Sequence, residues 1–248
     1  MITRDQLQTH LRDLLQTDRF RDYAPNGLQV EGRAEIRRIL TAVTASQAAI
    51  AAAIDWQADA LLVHHGYFWK GEAPQVVGLK KRRLAALLAH ELNLFAYHLP
   101  LDQHPELGNN AHFAKHFACE AVWQSAEEPL IWHARIAPTT LPDLLAQLEG
   151  GLEREPFAVG TAADPLTHIA WCSGAAQDFL QQAAGEGAQA FISGEYAERS
   201  YHEARETGTV YISCGHHASE RAGIRALGEH LAATFGLQQR FFDEENPF

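Results

Sequence analysis

The chain has 248 residues, 46% of them hydrophobic and 9% aromatic, enough to bury one large core or two modest ones. Its formal charge of −11, from 31 acidic and 20 basic residues, argues against a general binder of nucleic-acid backbones. No stretch approaches the roughly 20 apolar residues that span a bilayer, the start carries no signal-peptide pattern, and Cys119, Cys172 and Cys214, scattered without a CxxC spacing, suit a reducing, cytoplasmic compartment.

In chain order, Thr3 with Gln6 forms a capping box ahead of a first helix whose Leu7, Leu11, Leu14 and Leu15 share one face. After the loop "DYAPNGLQVEG", "IRRILTAVTAS" reads as a strand, "QAAIAAAIDW" as a helix and "ADALLVHH" as a strand. Helix "LKKRRLAALLAHEL" follows, with Lys80 to Arg83 as its solvated side, then strand "NLFAYHLPLD" and helix "NNAHFAKHFACE". The second half repeats the grammar with strands "LIWHARIA", "LTHIAWCSG", "AQAFISG" and "TVYISCGHH", each followed by a helix. Strands alternating with helices at this spacing predict an α/β fold of two similar three-layer lobes, residues 1–126 and 127–248, with mostly parallel mixed sheets covered by helices. The pattern does not decide whether the last helix packs on its own lobe or on the first.

Histidine is abundant, with 14 in the chain, and two adjacent pairs end apolar strands: His64 and His65 in "LLVHHG", His216 and His217 in "CGHHASE". In open α/β sheets the ligand crevice lies beyond the carboxyl ends of the strands. Neighbouring residues in a regular strand point to opposite faces, so His64 and His65 share a site only where the chain leaves the ladder, and Gly66 relaxes the backbone there. His98 and Asp102 follow a third buried strand, with Pro100 confining them to a loop or first helical turn. His216 and Glu220 stand four apart where the last helix begins, on one helix face. Imidazole with carboxylate suits zinc, iron, nickel or manganese better than calcium or magnesium.

The other histidines divide differently. His90, His112, His116 and His230 fall within helix patterns and are read as surface residues. His217 lies one helix step, about 100°, from His216 and is assigned to substrate contact or to support of a ligand. His202, in "EYAERSYHEARE", is read as an exposed helix residue, with reach into the same crevice as the alternative.

"PNGLQVEG", "LLVHHG", "AYHLPLD", "FISGEYAERSYHEARETG" and "CGHHASERAGIRAL" together resemble the YbgI-like family, dinuclear-metal-centre hexamers also known as type 2 GTP cyclohydrolase I homologues, in its short form without an inserted domain. The resemblance covers nearly the whole chain. It implies two divalent metal ions per chain in one cavity between the lobes, held by His64, His65, Asp102, His216 and Glu220, with His98 at or next to them. It also implies a homohexamer, a ring of dimers. Where many relatives carry a run of glycines, this chain has "CSGAAQDF", which keeps Gly174 but weakens the case for a phosphate cradle at Ala175 and Ala176.

Two divalent ions against the charges of Asp102 and Glu220 leave such a site near +2, so a hydroxide or anionic substrate would complete it. Two ions about 3.5–4 Å apart can hold nucleophile and substrate oxygen together, which is hydrolytic chemistry. The expected function is a metal-dependent hydrolase acting on a nucleotide or cyclic amide-like small molecule. The alternative is a non-catalytic metalloprotein, whether metal carrier, scaffold or regulatory partner of another protein. Glu220 stands either as a bridging ligand or as the catalytic carboxylate that takes a proton from water.

Overall fold

A computed structural model describes residues 1–161 and 165–248. By its internal contacts the chain divides into two compact units, one of Met1–Gly108 with Arg221–Glu245, the other of Asn109–Glu220 with Asn246–Phe248. Sequence composition places the join near Ser125. The contacts place it at Gly108 because Ala111, Phe113 and Phe117 bury themselves in the core of the second unit.

The first unit is built on a five-stranded sheet in the order Gln238–Phe241, Arg38–Thr44, Ala60–His65, Asn93–Ala96, Gly27–Val30. The first three pairings are parallel and the last is antiparallel. Strand alternation sorts its apolar residues to two faces. Ile39, Val43, Ala60 and Leu62 join Leu7, Leu11 and Leu15 of helix Arg4–Leu15 and Ile224, Leu227 and Leu231 of helix His216–Phe235. Leu40, Ala42, Leu61 and Val63 instead meet Ala49, Ile50 and Ala53 of helix Gln47–Asp55 and Leu84 and Leu87 of helix Gly78–Ala89. The Thr3/Gln6 capping box is formed in both directions. Lys80 pairs with Glu72 at 3.2 Å, and Lys81 and Arg82 are exposed.

The second unit carries a six-stranded sheet in the order Cys119–Gln124, Trp132–Thr139, Leu166–Trp171, Ala190–Ser193, Val210–Ser213, Phe157–Val159. Its two central pairings are parallel and the outer ones antiparallel. Trp132, Ile169, Trp171, Ile192 and Ile212 face helix Leu141–Leu152, whose Leu144, Leu148 and Leu152 are buried. The stretch "NNAHFAKHFACE" is not one helix. It is a short helix Asn109–Phe113, a 3-10 turn Ala114–His116 and then the edge strand Cys119–Gln124, whose side chains are mostly exposed. His112 and His116 are half-buried and not surface residues, His112 beside Lys115 and His116 edge-on to Phe113.

On the opposite face of that sheet, His133 and His168 are buried with Nδ1 and Nε2 3.1 Å apart, His133 Nε2 lies 3.0 Å from Glu186, and Trp123 stacks on His133 and lies tilted against His168. Burial, with Arg135 and His133 nearby, brings the His168 pKa down to about 4. The unfolded chain therefore takes up this proton first, so stability falls as the pH drops from about 6.5 to about 4. One such proton gives a slope approaching about 1.4 kcal/mol per pH unit. Urea unfolding between pH 7 and 4 should show His168→Gln losing up to one proton of that slope, and an unchanged slope would remove His168 from the acid response.

Among the described residues no helix is long and apolar enough to cross a membrane. Among the described residues, Cys119, Cys172 and Cys214 form no disulfide.

Candidate metal centre

His64 and His65 are the last two residues of strand Ala60–His65, at the end where the parallel ladder stops. Their ring centroids are 4.6 Å apart, so the end of the ladder lets adjacent side chains converge. Gly66 serves a different need from backbone relaxation. Its φ is not in the left-handed region, but a Cβ would collide with the Gln29 amide and with Ala96. Gln29 in turn accepts the Tyr67 N–H at 2.7 Å, which fixes the chain just beyond the histidines.

His98 follows strand Asn93–Ala96, and Asp102 sits one turn later in the short helix Leu99–Gln103, whose start Pro100 favours. The His98 ring lies 5.2 Å from His64 and 5.8 Å from His65. Trp69 meets His98 edge-on at 5.0 Å. The ligand-capable atoms of His64, His65 and His98 lie within 4.8 Å of one another.

Each ring is oriented through Nδ1. His64 Nδ1 donates to the Tyr97 carbonyl at 2.9 Å, His65 Nδ1 lies 3.2 Å from Thr44 Oγ1, and His98 Nδ1 donates to Asp22 Oδ1 at 2.7 Å. Because a carbonyl and a carboxylate only accept, Nδ1 of His64 and His98 carries the proton and the basic lone pair falls on Nε2. His64 Nε2 and Asp102 Oδ1 are 3.6 Å apart. That is too long for a hydrogen bond but fits two ligands of one ion, each about 2.0–2.2 Å from it.

Asp22 is a functional residue that the sequence reading missed. It is nearly fully buried, accepts from His98, Asn26 Nδ2 and the N–H groups of Tyr23 and Leu99, and so locks the start of the short helix. Burial pushes its pKa up, but the hydrogen bond and charge of His98, with the bonds from Asn26 and Tyr23, bring it down to about 2.

In the second unit, His216 opens helix His216–Phe235, with Nε2 3.2 Å from Glu220 Oε2 one turn on. His216 Nδ1 lies 2.7 Å from Glu195 Oε1, a second supporting carboxylate unforeseen in the sequence. Burial works against charging His216, yet Glu220 and Glu195 outweigh it and raise its pKa to about 9. Gly174, at φ +68°, passes so close that a Cβ there would strike Glu220 Oε1. Its N–H donates to Ser219 Oγ and that of Ala176 to Ser193 Oγ, so this turn spends two amides inside the protein that a phosphate cradle would need.

His217 is buried at the start of the same helix and belongs to none of the ligand groupings among the described residues. His202 is exposed and pairs with Glu198 at 3.0 Å. His230 lies against His10, with Nε2 atoms 3.2 Å apart, and His90 is exposed.

Residues 2–247 match the family model Duf34/NIF3 (NGG1p interacting factor 3). The chain belongs to this family. A relative from Neisseria meningitidis serogroup A, named GTP cyclohydrolase 1 type 2 homolog, is 50% identical over 248 residues and 100% of both chains. Among solved structures of Duf34/NIF3 likeness, protein ybgI superposes with a TM-score of 0.96 at 44% identity, covering 100% of both chains. A protein of Thermus thermophilus follows at 0.91 and 32%, again over 100% of both. The YbgI-like resemblance and the mixed α/β fold with helix-covered sheets thus hold for this Duf34/NIF3 chain.

Proposed function

We propose that the chain binds two divalent transition-metal ions through His64, His65, His98, Asp102, His216 and Glu220, and uses them to hydrolyse a small nucleotide or cyclic amide-like molecule. The observation that carries this reading is the convergence of His64, His65 and His98, each ring oriented through Nδ1, with ligand atoms within 4.8 Å. A histidine whose other nitrogen is held by a carboxylate or carbonyl is the usual form of a metal-ligating imidazole. The nitrogen-and-carboxylate donor set fits zinc, iron, nickel or manganese. The name carried by the Neisseria relative supports hydrolysis of a nucleotide ring as the first chemistry to try.

A bound divalent ion would supply Lewis acidity, polarising a carbonyl or phosphoryl oxygen and promoting the ionisation of water. The chain's own contribution is positional. Asp22 and Glu195 aim His98 and His216 and keep each imidazole basic at Nε2. Glu220, buried next to His216, would serve either as a further metal ligand or as the carboxylate that accepts a proton from water. With Asp102 and Glu220 as the only carboxylates of the proposed set, the loaded centre would favour an anionic substrate.

Elemental analysis should find close to two ions per chain, and the loaded protein should turn over at least one member of a panel of nucleotides, cyclic amides and phosphoesters. Loaded protein that is inert to the whole panel but passes its metal to an acceptor protein would replace hydrolysis with metal carriage. The same reading includes the homohexamer that the resemblance implies, so light scattering should return six times the 27.5 kDa chain mass.

Asp22→Asn keeps the size of the side chain but removes its charge. Loss of such a supporting partner costs about 10–100-fold in metal affinity. Competition with a chromogenic chelator should show that loss, and an affinity equal to wild type would mean that Asp22 only shapes the loop.

A further inference from the structure

At the other end of the strand that carries His64 and His65, the first unit holds a cavity of about 510 Å³. Among the described residues its lining includes Arg33, Arg37 and Arg38, with Asp59 as the only carboxylate and with Ile54 as apolar wall. Asp59 is already committed. Its Oδ2 accepts the backbone N–H groups of Arg37 and Arg38 at 2.7 and 2.9 Å, and its Oδ1 accepts from Arg33 Nη1 at 3.1 Å. Three guanidinium charges against one carboxylate leave the lining at a formal +2, in a chain whose net charge is −11.

The arginines are placed by the backbone and only partly consumed by it. Arg33 gives Nη2 to the His90 carbonyl at 3.0 Å, while Arg38 gives Nε to Gln238 Oε1 at 3.2 Å and Nη1 to Gln57 Oε1 and the Trp56 carbonyl at 3.3 and 3.4 Å, which leaves its Nη2 to face a ligand. Among the described residues Arg37 has one ionic neighbour, the exposed Glu35 at 3.6 Å, and its side chain is 68% exposed. Each guanidinium has five donors in a planar fork suited to phosphate oxygens. The cavity falls within the range of small-ligand sites, about 300–1,000 Å³.

We propose that this cavity binds a small phosphorylated molecule carrying at least two negative charges, its phosphates on Arg37 and Arg38 and its body against Ile54. The site is separate from the histidine cluster and stands whether or not that cluster takes metal.

Inorganic pyrophosphate is the probe, titrated calorimetrically into the full chain, into Arg37→Glu and into His65→Ala. Arg37 is exposed and its backbone bond to Asp59 survives substitution, so the variant tests charge with the fold retained. His65→Ala should bind one pyrophosphate per chain and wild type at least one, and the affinity of Arg37→Glu for the site they share should fall about 10–100-fold, the loss of a charge-assisted hydrogen bond or two. Acetate at equal ionic strength should not compete. The proposal is overturned if wild type does not bind pyrophosphate, if Arg37→Glu binds it unchanged, if acetate competes equally, or if His65→Ala abolishes binding and so moves the anion to the histidine cluster.

Discussion

His65→Ala is expected to lose metal affinity by more than the roughly 100-fold upper cost of removing a supporting partner, because it deletes a proposed ligand itself. His65 is half-buried at the last rung of its strand, where Thr44 faces it across the ladder, so the fold should survive the truncation. Metal content after dialysis and circular dichroism read the two effects separately. Glu220→Ala should also lower the content, since Glu220 stands beside His216 and belongs to the same proposed ligand set. His112→Ala and His116→Ala, which belong to none of the ligand groupings among the described residues, should leave the content unchanged. Full metal loading of His65→Ala would refute the proposed centre.

The largest effect on stability is expected at Asn93, fully buried at the start of its strand. Its Oδ1 accepts the Gly32 N–H at 2.8 Å, and its Nδ2 donates to the carbonyls of Arg33 and Asp59 at 2.9 and 3.0 Å. Leucine is nearly the same size but satisfies none of these groups. The Asp59 carbonyl keeps the Asn93 backbone N–H, so two backbone groups lose their bond at about 1–3 kcal/mol each, and Asn93→Leu should destabilise by about 2–6 kcal/mol, a large part of the usual 5–15 kcal/mol of a domain. A urea midpoint within experimental error of wild type would mean that water replaces the side chain.

Helix and central-strand positions were legible because apolar periodicity records which face is buried. Leu7, Leu11 and Leu15 mark one such face, and Leu61, Leu62 and Val63 lie in a strand buried on both sides. The edge strands were not legible. Cys119–Gln124 and Gln238–Phe241 are largely exposed along their length, so no apolar run separates them from loop. The histidines and Asp102 announced themselves by standing where buried strands end. Asp22 and Glu195 did not, because a carboxylate in a loop has the same local signature whether it faces water or holds an imidazole 76 residues away, as Asp22 does. The sequence does place Asp22 four residues before Asn26, and in the structure both serve the backbone around His98, Asn26 by accepting its N–H.

The first unit is interrupted by the second, so strand Gln238–Phe241 and the first unit's share of helix His216–Phe235 are synthesised after the whole stretch Asn109–Glu220. On the ribosome, residues 1–108 emerge with Leu7, Ile39 and Leu62 still lacking Ile224, Leu227 and Leu231, the helix residues that share their cluster. Domains generally fold as units in order of synthesis, but here the unit that begins first cannot finish first. Its closing contacts join residues 200 positions apart, as in the ladder of Arg38 with Gln238, and loop closure on that scale slows folding. The nascent first unit therefore presents an incomplete apolar surface throughout translation of the insert, and that interval is when the chain most needs protection from aggregation.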